Sequence, residues 1–302
     1  MDATAELERS PDFWFEDGTI VLQAENMLYR VYRGWLASRS TVFRDTFSIP
    51  QPKEETVLVE GCPVVQVHDA AQDFGRFLKA LHNHGSYKTC PVSDLSELIS
   101  FLSLSDKYDV PALRDAMVSI LFDLYPTTLA KWDARTRPPG YTVRRFDHVG
   151  VLNIAVKMNI RSILPVVMYT ICCNLTPDEI VGGQLCKLRI LDVDYQQRCI
   201  IGSLELGEAR RKSLLYLTRD EGQVECEDPA SCDAERLRWL RIDLDYENGS
   251  PLRDSNAGNW QNFALCDTCL STAKAKWSGT RQALWNDLPN IFDLEPWKEL
   301  LV

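Results

Sequence analysis

Four cysteines in the last third of the chain are the residues whose type and spacing best suit chemistry: Cys226, Cys232, Cys266 and Cys269. Cys266-x2-Cys269 lets two thiolates reach one metal ion, and a second pair brought in by the fold completes a tetrahedral set. That second pair, Cys226-x5-Cys232, has looser spacing and sits in an acidic, irregular segment, EGQVECEDPASCDAE. The expectation is one structural zinc: four thiolates leave no ligand position open to water, so such a site holds structure rather than catalyses. Two other readings stand beside it. Cys266-x2-Cys269 could be a redox pair, although the strand context of thioredoxin-like proteins is missing, and Cys226 and Cys232 could be incidental.

Other metal-binding and catalytic groupings are weaker. His82-x-His84, with His68, Cys62 and Cys90 nearby in sequence, is favoured as packing or surface residues over a metal site. His148, alone at a helix start, reads as a partly exposed residue of the cap region. No P-loop, G-x-G-x-x-G, G-x-S-x-G or H-E-x-x-H motif is present, so the chain is not expected to be an enzyme. A metal-dependent enzyme built on the four cysteines would need an open zinc position and a general base, and no such base is identifiable.

The elements that must position these residues follow from periodicity. Cys266-x2-Cys269 opens a helix running through Lys276 and Trp285, whose N-terminal partial charge favours thiolates. Trp239, Trp260, Trp277, Trp285 and Trp297 read as packing residues of a small helical region. Further upstream, Thr176-Pro177-Asp178-Glu179 is a helix start, with Thr as cap and Pro in the first turn. Tyr195 to Leu217 reads as one long helix with Gly202 and Gly207 as weak points. Helices flank Asn159, the second beginning near Pro165 with Ser162 as its cap. Arg135 to Gly140 is a linker.

The N-terminal third has a different rhythm. Phe13-Trp14-Phe15, a turn at Asp17-Gly18, Thr19–Gln23 and Met27–Tyr32 form strand-like runs that make a hairpin. Trp35, Leu36, Val42, Phe43 and Phe47 then recur at helical spacing, and Ser40 suits the cap of a second short helix. Val64–Val67 reads as a strand. Asp69 is placed to cap a helix from about Ala70 to Asn83, marked by Phe74, Phe77, Leu78 and Leu81. Asp94-x-x-Glu97 opens another helix, and Pro111 fits the first turn of the next.

This order resembles the BTB/POZ domain. The likeness rests on the hairpin, on Tyr29-Arg30-Val31-Tyr32-Arg33 followed by Leu36-Ala37-Ser38-Arg39-Ser40 and Phe43, and on Leu104-Ser105-Asp106-Lys107-Tyr108-Asp109-Val110-Pro111-Ala112-Leu113. Tyr32 departs from the family, which usually has His there. The wider wording looks like the BTB proteins of filamentous fungi and mushrooms, which often carry C-terminal cysteine pairs and an ending such as Leu284-Trp285 through Leu288-Pro289, Phe292 and Trp297. The resemblance implies an α+β fold. A BTB/POZ domain at 10–125, a small sheet flanked by a helical cluster, precedes a helical region at 141–220 and a Cys/Trp-containing helical region at 221–302. It further implies a protein–protein interaction module that self-associates as a homodimer and binds protein partners. Phe13, Phe15, Trp35 and Leu36 are the candidate partner-binding residues. Adaptor for a cullin-type ubiquitin ligase, or transcriptional regulator acting through partners, are the alternatives it leaves open.

Bulk properties agree with a globular chain. It has 302 residues, 45% hydrophobic and 25% charged, with net charge −10. Nucleic acid is not an expected partner of so acidic a chain, since phosphate neutralisation needs clustered Lys and Arg. No signal-like apolar segment opens the sequence, and the most apolar stretch, Ile163 to Cys173, is too short to span a bilayer. The expectation is a protein of cytoplasm or nucleus, without a membrane partner, most of whose ten cysteines are reduced.

Overall fold

The structure, a computed structural model, describes residues 6–49, 57–82, 92–136, 141–182, 190–218, 226–245, 250–252 and 260–301. The chain divides into two compact units, one of residues 1–121 with 138–143 and one of 122–137 with 144–302. Its class is α+β, a small mixed sheet with many helices.

The first unit holds the five-stranded sheet, ordered β1-β3-β2-β5-β4. Its strands are β1 (Glu8–Trp14), β2 (Ile20–Ala24), β3 (Met27–Val31), β4 (Leu58–Val59) and β5 (Cys62–Val67). The hairpin joins β2 to antiparallel β3 through Glu25 and Asn26, with Glu25 at φ 50°. The Asp17-Gly18 turn does not close a second hairpin. Instead β1 runs parallel to β3. Gly18 is needed there for close approach: a Cβ would lie 2.8 Å from the Arg30 side chain and 2.9 Å from the Phe15 carbonyl. The central strand β2 is buried on both faces, with Ile20, Val21, Leu22 and Ala24 in the core, as a strand flanked by two others and covered on both sides requires.

Helices α1 (Arg33–Arg39) and α2 (Thr41–Ser48) connect β3 to the second half of the sheet. Ser40 caps α2 as expected, accepting from the Phe43 N–H at 3.0 Å. Helix α3 (Ala71–His82) buries Phe74, Phe77, Leu78 and Leu81. Asp69 serves a different purpose from the predicted cap. Its carboxylate accepts from the Tyr108 hydroxyl and from Lys107 Nζ at 2.6 Å. Burial, then the bond to Asp69, raises the Tyr108 hydroxyl far above its usual range. The Tyr108 ring stacks on Phe43 at 4.5 Å, so the Lys107-Tyr108 dipeptide ties the end of α4 (Leu95–Lys107) to two other parts of the unit. Asp94 caps α4, and Glu97 reaches back to the Ser93 N–H at 2.7 Å. Asp109, at φ 48°, ends the helix before α5 (Pro111–Leu124).

The second unit is helical: α6 (Leu129–Ala134), α7 (Asp147–Lys157), α8 (Leu164–Asn174), α9 (Pro177–Gly182), α10 (Val193–Ser213), α11 (Pro229–Asp245), α12 (Asp267–Ile291) and α13 (Trp297–Leu300). Thr176 and Glu179 form the predicted capping box of α9. Ser162 does not cap α8; it lies in a 3-10 turn, Arg161–Ile163, that leads into that helix. His148 is buried rather than partly exposed, and its Nδ1 lies 2.6 Å from the Tyr125 hydroxyl.

Two features of this unit explain local sequence. Gly202 is no weak point of α10: a Cβ there would stand 2.3 Å from Cε1 of the fully buried Phe292. The glycine is the seat of that ring. Within α12, Pro289 has no N–H to give the carbonyl four residues back, that of Trp285. The Trp297 indole N–H supplies the missing donor at 2.9 Å, and its ring stacks on Trp285. After Pro289 the helix closes in a Schellman turn, Leu294 N–H to Pro289 O at 2.8 Å, with Asp293 left-handed at φ 51°.

Candidate metal centre

The N-terminal ends of α11 and α12 converge on the four cysteines. The acidic segment around Cys226 and Cys232, irregular by composition, is helical from Pro229 onward. Pro229 costs nothing at the first helical position, and the Asp228 carboxylate caps the Ser231 N–H at 3.1 Å. Cys226 therefore lies just before the helix and Cys232 in its first turn. The second pair repeats the arrangement: Cys266 is the N-cap residue of α12 and Cys269 sits in its first turn.

All four sulfurs lie within 4.8 Å of one another. Cys266 and Cys226 are 3.9 Å apart at sulfur. A disulfide would need about 2.05 Å, and the cysteines are free thiols. A tetrahedron of thiolates at about 2.3 Å from a central ion has edges of about 3.8 Å. The sulfurs thus already stand close to the corners of that tetrahedron. Cys232 and Cys269 are buried, and Cys226 and Cys266 are partly exposed. Among the described residues no second cluster of this kind is present.

The surroundings suit negative charge at sulfur. Backbone N–H groups of Cys269 and Glu227 bring the Cys266 thiol down to about 7. The Cys266 N–H itself donates to the Cys232 sulfur at 3.4 Å. Burial pushes Cys269 up to about 12 and raises Cys232. Two buried thiols cannot both ionise beside a third thiolate unless a cation neutralises them. Four thiolates around a divalent ion keep about two negative charges in excess. Two helix N-termini face that charge. So does Arg236 of α11, a buried guanidinium bound to Asp233 at 3.2 Å, whose charge favours the Cys269 thiolate.

Two residues that sequence reading did not single out hold the pairs in register. Glu235 of α11 accepts from the Ala264 N–H at 3.1 Å, just before Cys266, and from the Trp239 indole at 2.8 Å. Arg236 is the other. The spacing to Cys232, one turn along the helix, would have marked both only once α11 was known to be a helix. Trp239 stacks on Phe263 at 4.1 Å, within a core that includes Tyr216, Leu217 and Ala273, with Trp260 and Trp277 against it. These aromatics pack, as expected.

The four candidate partner-binding residues lie together in the first unit, on the end of β1 and on α1. Leu36 is fully buried, and Phe13 is 5% exposed. Phe15 and Trp35 keep part of their surface open. His82 is the hub: Phe13, Phe15 and Trp35 have ring centroids 6.1, 6.1 and 5.7 Å from it. Phe15 also stacks on the exposed Tyr32 at 5.2 Å. Of the histidine grouping, Cys62 is buried and its Sγ–H points to the Gly18 carbonyl at 3.0 Å. His84 and Cys90 lie outside the described residues.

Among the described residues no helix is long and apolar enough to cross a membrane. No family model, no curated protein and no solved structure matches the chain.

Proposed function

We propose that this chain is a non-enzymatic protein-interaction module of the BTB/POZ kind, which self-associates and binds protein partners through its N-terminal unit. Its C-terminal unit carries a structural zinc held by Cys226, Cys232, Cys266 and Cys269. The observation that carries the interaction reading is the aromatic face around His82. Phe15, Tyr32 and Trp35 are large rings that stay partly open although Tyr32 stacks on Phe15 and both Phe15 and Trp35 pack on His82. Partly open aromatic rings clustered on one face are the usual anchors of a protein contact. Phe13, buried, packs against Phe15 and His82, and Leu36 lies buried on the same helix as Trp35. The convergence of four sulfurs supports the zinc, whose role is to tie the start of α11 to the start of α12. Four thiolates complete its coordination and leave no site for water.

Native mass spectrometry of the purified chain tests both parts in one spectrum. The expected result is two chains with one zinc each. Trp35→Ala should give a single chain that keeps its zinc, and Cys269→Ser should lose the zinc. A metal-free wild-type chain overturns the zinc, and a wild-type monomer, or a dimer indifferent to Trp35→Ala, overturns the interface. Recovery of a cullin with the chain would sharpen the partner reading to substrate adaptor.

A further inference from the structure

The four sulfurs of the candidate metal centre differ in their access to solvent. Cys232 and Cys269 are 2% and 0% exposed, whereas Cys226 and Cys266 keep part of their surface open. The backbone divides them in the same way. Cys232 lies inside α11, its N–H bonded to the Asp228 carbonyl at 3.0 Å, and Cys269 lies inside α12. Cys226 stands ahead of α11, outside any helix or strand. Cys266 is the extended N-cap residue of α12, at φ −63° and ψ 161°. The two open sulfurs are also neighbours, 3.9 Å apart. Bringing them to the disulfide length of about 2.05 Å needs an approach of about 1.9 Å. That movement falls on a residue outside α11 and on one at the edge of α12, so neither helix has to unwind.

We propose that Cys226 and Cys266 are an oxidation site, at which hydrogen peroxide joins the outer half of the zinc centre as a disulfide and so ejects the ion. The ejection rests on the zinc reading; the choice of sulfurs rests on exposure and geometry. Zinc ligation keeps all four cysteines as thiolates, the form that peroxide oxidises, and access then selects among them. One of the two outer thiolates attacks a peroxide oxygen. The O–O bond breaks, hydroxide leaves, and the sulfur becomes a sulfenic acid. The other outer thiolate attacks that sulfur. The S–S bond forms, the S–O bond breaks, and a second hydroxide leaves. Two electrons have passed from the sulfur pair to the peroxide. The disulfide sulfurs carry no charge, so the ion is left with two thiolates where it had four. Cys232 and Cys269 take protons from water as it departs. Their burial keeps peroxide away, so they survive as thiols that rebind zinc once a dithiol reductant reopens the disulfide.

The test uses the zinc-loaded, full-length wild-type chain. It is treated with one equivalent of hydrogen peroxide beside a chromogenic zinc chelator, alkylated with N-ethylmaleimide, digested without reduction and mapped by mass spectrometry. The expected result is loss of the zinc in step with the peroxide consumed. The map should show a peptide pair linked through Cys226 and Cys266, with Cys232 and Cys269 alkylated. Dithiothreitol with added zinc should return the ion to the chain. A zinc-bearing chain that keeps its ion in excess peroxide, or whose first disulfide joins any other pair of cysteines, overturns the proposal and leaves the zinc reading standing. A chain that carries no metal before peroxide is added overturns the zinc reading, and the ejection with it.

Discussion

Gly202→Ala is the sharpest test of how the second unit is packed, because propensity and packing give opposite answers. In the interior of a helix alanine is favoured over glycine by about 1 kcal/mol. At Gly202 the new methyl carbon would lie 2.3 Å from Phe292 Cε1 and 2.6 Å from Cδ1. Ordinary contact begins near 3.4 Å, so the ring or the helix must retreat by about 1.1 Å. Phe292 has no exposed surface and cannot swing outward. Overpacking of this kind costs about 1–3 kcal/mol, which leaves a net loss of up to about 2 kcal/mol after the propensity gain. Gly207 is the control on the same helix: no atom lies within 4 Å of its Cβ position. Gly207→Ala should therefore stabilise by about 0.5–1 kcal/mol. Urea unfolding monitored by tryptophan fluorescence reads both. Phe292→Leu should recover part of the loss in Gly202→Ala. If Gly202→Ala stabilises as Gly207→Ala does, the inward face of α10 is wrongly assigned.

Three further outcomes follow from single contacts. The Trp297 indole serves the Trp285 carbonyl that Pro289 leaves without a donor, so Trp297→Phe should cost about 1–3 kcal/mol by orphaning it. Pro289→Ala in that background should recover most of the loss by restoring the helical N–H, and additive losses would refute the account. Arg281 is buried and forms a two-pronged ion pair with Asp133, which is 28% exposed at its side chain. Asp133→Ala strands a buried cation and should cost about 3–5 kcal/mol. Arg281→Met leaves a carboxylate that water can reach and should cost less, an order that chemical denaturation can check. Hydrogen bonds from Arg238, then from the Ala264 and Trp239 N–H groups, hold Glu235 down to about 2, against 4.5 ordinarily. A depressed carboxylate contributes stability in full above pH 4.5 that is lost as pH falls towards 2. Glu235→Gln should flatten that acid dependence relative to wild type, as read from urea midpoints at a series of pH values. Parallel acid limbs would exclude the role.

Much of the local structure was legible in the sequence, because it depends on neighbours. Ser40, Asp94 and Thr176 cap helices by bonding N–H groups three residues ahead, a relation written within four residues of chain. The helix opened by Cys266-x2-Cys269 and the packing role of the tryptophans were legible for the same reason, since period and side-chain size are local. The Cys266-x2-Cys269 spacing marked one candidate pair of ligands, while the looser Cys226-x5-Cys232 left the second pair open. What the sequence could not determine was anything set by partners far along the chain. Asp69 looks like a cap until the fold brings Tyr108 to it. Gly202 looks like a flaw until Phe292, ninety residues on, fills its place. The Asp17-Gly18 turn looks like a hairpin until β1 pairs in parallel with β3. The four-cysteine cluster shows both parts of this division. Cysteine spacing marked the candidates, but only the meeting of α11 with α12 brought four sulfurs within 4.8 Å. The physical reason is that capping and periodicity are properties of a few consecutive residues, whereas the corners of a tetrahedron come from segments forty residues apart. Their meeting is decided by the packing of everything between and around them.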